Sequence, residues 1–139
     1  MAKESGLGVT TFSVDDATNT QRAVLNDVTA LSIKTPSAEQ DVTGLDKSAH
    51  ERLLLLADGS FDYTYVFNDA ANTGIFTVLK AYRTLSGTEV GRTHTFTHSA
   101  QTLAMECLLD DFPFTRGADG SLTGSTSAKL SSGTVPAWS

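Results

Sequence analysis

The sequence has a single cysteine, at position 107, among its 139 residues. One cysteine excludes an intrachain disulfide and a metal cluster built from cysteines. Cys107 alternates with Met105 and Leu109, which predicts a buried side chain that acts as a small apolar group. Such usage fits a protein made in a reducing compartment.

The sequence also lacks a convergent group of titratable side chains. His94 and His98 lie on one predicted strand, where their spacing separates them by about 13 Å. His50 lies beside Glu51 in another segment, with no partner placed by the spacing. A catalyst or a metal ion needs several such groups at one place. We therefore predict that the chain is not an enzyme and has no catalytic residue, metal site or cofactor.

Positive charge and long apolar runs are scarce. Ten Lys and Arg against sixteen Asp and Glu give a net charge of −6. A surface of that sign repels polyanions, so we expect no tight wrapping around nucleic acid. The start of the sequence lacks the basic and apolar regions of a secretory signal, and no window approaches the length of a membrane span. We expect a soluble protein, synthesised in a cytoplasm, with no membrane partner.

The residues that are abundant are those of strands and turns. A strict alternation places Phe61, Tyr63, Tyr65 and Phe67 on one face of a strand. We predict that Phe61 and Phe67 lie in the core, whereas the two tyrosines place a hydroxyl at an edge or a subunit contact. A different interpretation makes Tyr63 and Tyr65 the stacking platform of a carbohydrate-binding β-sandwich module.

The remaining pattern predicts a mainly β chain with one substantial helix. An S-x-x-E capping box at residues 48–51 predicts a short helix that continues into residues 53–56. The spacing of Ile75, Val78, Leu79 and Tyr82 predicts the main helix. Further strands are predicted at residues 10–14, 31–35, 40–43, 92–98, 102–109, 112–116 and 122–130.

These elements predict a single domain, residues 1–139, with a flexible N-terminal arm at residues 1–9 and an irregular C-terminal tail at residues 131–139. The fold class that they favour is a β-sandwich or partly open barrel of about seven or eight antiparallel strands with one packed α-helix.

The tract DVTGLDKSAHERLLLLADGSFDYTYVFNDAAN resembles the tail tube protein, or major tail protein, of bacteriophages with long non-contractile tails. The flanking segments TFSVDD and NDVTALSIKTP, the central helix and the closing strand rich in Ser, Thr and Gly follow the order typical of that family. The resemblance implies a structural virion protein of the phage tail, made in the host cytoplasm. Its copies would form hexameric rings that stack into a hollow tube through which DNA is delivered.

The resemblance also implies partners: the chain itself, the tape measure protein, the tail terminator and initiator proteins, and genomic DNA that passes through the lumen without tight binding. Another virion component, such as a capsid decoration or head-tail joining protein, remains an alternative. We expect the strands at residues 92–98 and 122–130 to be edges that pair with the next subunit.

Residues expected at subunit interfaces are Leu7, Val9, Tyr63, Tyr65, Thr93, Thr95, Thr123 and Trp138. Acidic residues expected to face the lumen are Asp62 and Glu106.

Overall fold

A computed structural model describes residues 3–139 of the chain. Met1 and Ala2, which begin the predicted N-terminal arm, lie outside the described residues. One α-helix, α1, spans Ile75–Leu79, and short 3-10 helices span Gly6–Gly8 and Leu25–Asp27. The strands are β1 (Val9–Asp15), β2 (Gln21–Ala23), β3 (Val28–Lys34), β4 (Ser37–Asp41), β5 (Arg52–Ala57), β6 (Ser60–Val66), β7 (Arg92–His98), β8 (Gln101–Leu109), β9 (Thr115–Arg116) and β10 (Leu122–Leu130).

Most strands belong to one antiparallel sheet with the order β2-β1-β7-β8-β10-β6-β3, to which β9 adds by pairing with β10. The sheet divides between β8 and β10, because these two strands pair only over residues 107–109 of β8 and residues 128–130 of β10. Two layers result, β2-β1-β7-β8 and β10-β6-β3, and they pack face to face. The ring of Phe12 on β1 lies 5.1 Å from that of Tyr63 on β6. The predicted fold class, a mainly β sandwich or partly open barrel with one α-helix, is confirmed, since the sheet of eight antiparallel strands does not close.

The core lies between the two layers and follows the alternation of the strands. Phe61, Tyr63 and Tyr65 of β6 are buried against Phe12 and Val14 of β1. The predicted core position of Phe61 is confirmed, but that of Phe67 is wrong, because β6 ends at Val66 and Phe67 is 39% exposed. Its ring packs instead at the surface against Phe76 and Phe114.

The predicted main helix exists but is short. Its first turn is anchored by the buried carboxylate of Asp27, which accepts hydrogen bonds from the Ile75 backbone N–H (2.9 Å) and from Asn68 Nδ2 (2.8 Å). After Leu79 the chain continues in turns. The buried Arg92 guanidinium donates to the carbonyls of Val78 (2.7 Å) and Thr84 (3.1 Å) and also to that of Ala81.

A histidine lies at the centre of the core. The Nδ1 of His94 donates to the Arg92 carbonyl (2.8 Å), so its Nε2 accepts from the Tyr63 hydroxyl (3.1 Å). Burial lowers the pKa of His94 to about 4, so the ring is neutral near neutral pH. His94 therefore has a structural role in the core.

Candidate self-association surface

The predicted helix at residues 53–56 is wrong, because this segment lies in β5, which pairs with β4 in a separate two-stranded sheet. We call residues 37–57 the ribbon. Residues 48–51 lie in its loop, where the Glu51 backbone N–H donates to Thr43 Oγ1 (2.8 Å) and His50 Nδ1 lies 2.9 Å from an Asp41 carboxylate oxygen. These bonds connect the two sides of the loop and replace the helix cap that the S-x-x-E spacing predicts.

The ribbon extends from the end of the body. Two residues separate β3 from β4 and two separate β5 from β6, so the ribbon continues the β3–β6 pair. The backbone N–H of Asp58 donates to the Pro36 carbonyl (2.8 Å) at this junction. All of β4 and five of the six residues of β5 are exposed.

Four consecutive leucines of β5 are exposed to solvent. Leu54 and Leu56 are 78% and 86% exposed, and Leu53 and Leu55 are about half exposed. The register of β5 against β4 shifts between the pairs Ser37–Ala57 and Glu39–Leu54, which interrupts the alternation of side chains in this run. Val42 and Leu45 of the loop add to this apolar surface. A contiguous exposed apolar patch marks an interaction site. The apolar surface of the ribbon strands therefore lies on β5, whereas β4 carries Glu39, Gln40 and Asp41.

The predicted edge strands are also wrong. Strand β7 lies between β1 and β8. Strand β10 pairs with β6 on one side and, on the other, with β9 at Leu122 and Thr123 and with β8 at residues 128–130. The edges of the large sheet are instead β2 and β3. Strand β3 is the longer of the two, and its outer row of main-chain groups is available for another strand.

A groove of about 350 Å³ runs beside β3, and we call it the seam. It separates the edge of β3 from β7 and the start of β1, where the two layers do not close. Its apolar lining is half-buried. The lining side chains include those of Val9, Leu25, Val28, Leu31, Ile33 and Phe96.

Two residues predicted at subunit interfaces are buried inside the subunit. Tyr63 and Tyr65 have almost no exposed surface, and the Tyr65 hydroxyl donates to the Pro113 carbonyl (2.7 Å). They are therefore unavailable to another copy, and equally unavailable as a stacking platform for a carbohydrate. The sequence shows only that one face of β6 is aromatic, whereas the second layer that covers this face comes from distant segments.

The other predicted interface residues are distributed over the surface. Leu7 is fully exposed, and Val9 lines the seam. Thr93 and Thr95 lie half-buried on the outer face of β7, and Thr123 is paired on both sides, with Val66 and Thr115. The structure does not bring these residues together into one surface.

Residues near both ends of the described part of the chain contact the body of the subunit. Trp138 forms a β-bridge with Leu103, and the backbone groups of Ser139 and Thr102 exchange two hydrogen bonds of 2.9 Å. Near the other end, the Glu4 carboxylate accepts from Ser99 Oγ (2.8 Å). The predicted flexibility of the arm and the tail stays a prediction, but in this arrangement residues near both ends are docked.

The two acidic residues predicted to face a lumen lie on opposite layers. Asp62 lies on the outer face of β6, where hydrogen bonds from Ser127 and Lys34 lower the pKa of its carboxyl. Glu106 lies on the outer face of β8. A hydrogen bond with the Glu89 carboxyl, together with burial and repulsion by Glu89, raises the pKa of Glu106. A single lumen faces one layer, so at most one of the two predictions holds.

The structure resembles chains in solved structures of gene transfer agent particles. A chain from the virion of a native gene transfer agent particle matches with a TM-score of 0.70 and 15% identity over 99% of both chains. A chain from the tail of an empty gene transfer agent particle, solved by helical refinement with C6 symmetry, matches with a TM-score of 0.70 and 16% identity over 99% of this chain and 98% of that chain. At this identity the likeness shows a shared fold.

No protein-family model matches the sequence, and a search of curated proteins finds no significant match. Within residues 3–139 there is no helix with the length and apolar character of a membrane span. The same residues contain no group of three or more His, Cys, Asp and Glu side chains arranged to hold a metal ion.

Proposed function

We propose that this chain is the subunit of a phage-type tail tube, with a structural and not a catalytic role. The observation that carries the proposal is the ribbon, with the four exposed leucines of β5. A monomer that keeps such a surface in water loses the hydrophobic stabilisation that burial of those leucines would provide, about 1.5–3 kcal/mol for each fully buried side chain. The fold shared with a gene transfer agent tail supports the same proposal.

The ribbon and the surfaces that receive it are different parts of the subunit, so the contact is heterologous. Heterologous contacts form a ring when the rotation closes and a filament when it does not. A tail tube requires contacts that close into a ring within each layer of subunits, and contacts that form a filament between stacked rings. We propose hexameric rings, by analogy with the C6 symmetry of the gene transfer agent tail.

The layer that we propose for the lumen is β2-β1-β7-β8. Its outer face carries Thr93, Thr95 and Glu106, with Glu89 close to Glu106. The outer face of the opposite layer carries Lys34 and Lys129 with Asp62, so its acidic group is neutralised. A lumen that conducts DNA without binding it needs uncompensated carboxylates, because cations bind phosphate.

Other partners follow from the same proposal. A tape measure protein would set the length of the tube, and initiator and terminator proteins would begin and end it. Genomic DNA would pass through the lumen without tight binding, and the assembled protein would be located in the virion tail.

Negative-stain imaging of the concentrated protein, alone and with the neighbouring tail proteins, tests the proposal. Long hollow filaments of uniform width are expected. Closed rings that never stack would favour a head-tail joining protein, and single subunits decorating a capsid would favour a decoration protein. A subunit that stays monomeric under every one of these conditions would contradict the tube.

A further inference from the structure

We propose that the seam of one subunit receives strand β5 of a second copy of this chain. This inference rests on the proposed function and specifies the contact through which copies associate. Two features of the subunit, each without a partner in the described structure, lead to this proposal. The seam is an apolar groove beside an unpaired strand edge, and strand β5 of the ribbon carries four exposed leucines.

The ribbon of a subunit does not fill its own seam. The seam runs alongside β3, which begins at Val28 and ends at Lys34. The ribbon leaves from the Lys34 end of β3, where the Asp58 backbone N–H donates to the Pro36 carbonyl. The residues that line the seam belong to β1, β3, β7 and the two 3-10 helices, so the ribbon is available to another copy.

Of the two ribbon strands, β5 fits the seam. Strand β4 presents polar residues, including Glu39, Gln40 and Asp41, whereas the four central residues of β5 are leucines. Strand β5 pairs with β4 along one edge only, so its other edge is free to pair with β3 of a neighbour. A strand that pairs with the sheet edge of another subunit forms main-chain hydrogen bonds with it and places alternate side chains on one face.

The two most exposed leucines of the ribbon strands are the ones that we place in the seam. Leu54 and Leu56 would pack against Val28, Leu31 and Ile33, which are half-buried in the isolated subunit. Leu53 and Leu55, which are about half exposed, then remain for a further contact. Each subunit would therefore bridge two others, which a tube needs to join its rings.

Disulfide trapping tests the contact. Thr29→Cys places a thiol at the exposed rim of the seam, and Leu54→Cys or Leu56→Cys places one on the ribbon. The native Cys107 is buried and does not compete. Ser125→Cys, on the exposed outer face of β10, is the matched control. A disulfide requires a Cα–Cα distance of about 4.4–6.8 Å, so it reports direct contact.

Filaments assembled from a mixture of Thr29→Cys and Leu54→Cys or Leu56→Cys subunits are expected to yield disulfide-linked dimers on oxidation, with few or none from mixtures that contain Ser125→Cys. Filaments that form without a link from Thr29, or that link through Ser125 instead, would overturn the seam contact and leave the tube intact. If neither filaments nor links form, the proposed function fails as well.

Discussion

At the scale of the residue, burial decides what each aromatic side chain does. Phe61 and Phe67 occupy equivalent positions in the alternation, yet only Phe61 lies between the two layers. We expect Phe61→Ala to lower the free energy of unfolding by about 3–5 kcal/mol, since it leaves a cavity in the core. Urea unfolding of the monomer measures this effect. Phe67→Ala is the control, and an equal loss there would contradict the assignment of Phe67 to the surface.

The stability of the subunit should depend on the protonation of His94. Its folded pKa of about 4 lies below the unfolded value of 6.5, so the unfolded chain binds more protons between these values. The contribution is therefore fully present above pH 6.5 and decreases as the pH falls towards 4. Unfolding by urea at several pH values in this window measures the slope.

His94→Gln is the control for this slope. A glutamine at this position offers a hydrogen bond to Tyr63 but does not titrate. The variant should therefore show a flatter pH dependence between the two pKa values of the native histidine. An unchanged slope would show that other groups account for the acid sensitivity.

At the scale of the element, the ribbon shows why a local motif is insufficient. The S-x-x-E spacing at residues 48–51 is a helix signal, but the four leucines that follow leave no polar face for an amphipathic helix. The unbroken run of four leucines is the sequence signal of this exposed strand, and the helix prediction overlooked it. Consecutive apolar residues outside the core point to a contact with another chain.

The double variant Leu54→Ser, Leu56→Ser should abolish filament assembly while it leaves the subunit folded. Both side chains are mostly exposed in the monomer, so its unfolding free energy should change by about 0.5 kcal/mol or less for each substitution. Sedimentation and imaging measure the filaments. The double variant Leu54→Ile, Leu56→Ile retains the apolar surface and should assemble. Normal assembly of the serine variant would contradict a role for these two leucines.

At the scale of the whole molecule, the distribution of charge over the two layers governs the proposed passage of DNA. Glu106→Lys should slow genome release from particles while tubes remain intact, since a lysine in every subunit would attract phosphate. Asp62→Lys changes the charge equally on the opposite layer and should leave the release rate unchanged. Equal effects of the two variants, measured as release kinetics, would argue against the proposed lumen face.

The sequence by itself determined the class of the fold. Alternation marked β6, β7, β8 and β10, the periodic apolar residues marked α1, and the small number of cysteines and histidines gave no support to a catalytic or metal centre. These features depend on neighbours in the chain, so they can be read locally.

Only the tertiary structure decided which strands are edges, that Tyr63 and Tyr65 are covered, that Asp62 and Glu106 lie on opposite layers, and that the leucines of β5 extend into solvent. Each of these properties depends on contacts between segments that are distant in sequence. Strand pairing and layer packing follow from the summed burial of many side chains, and no local pattern carries that sum.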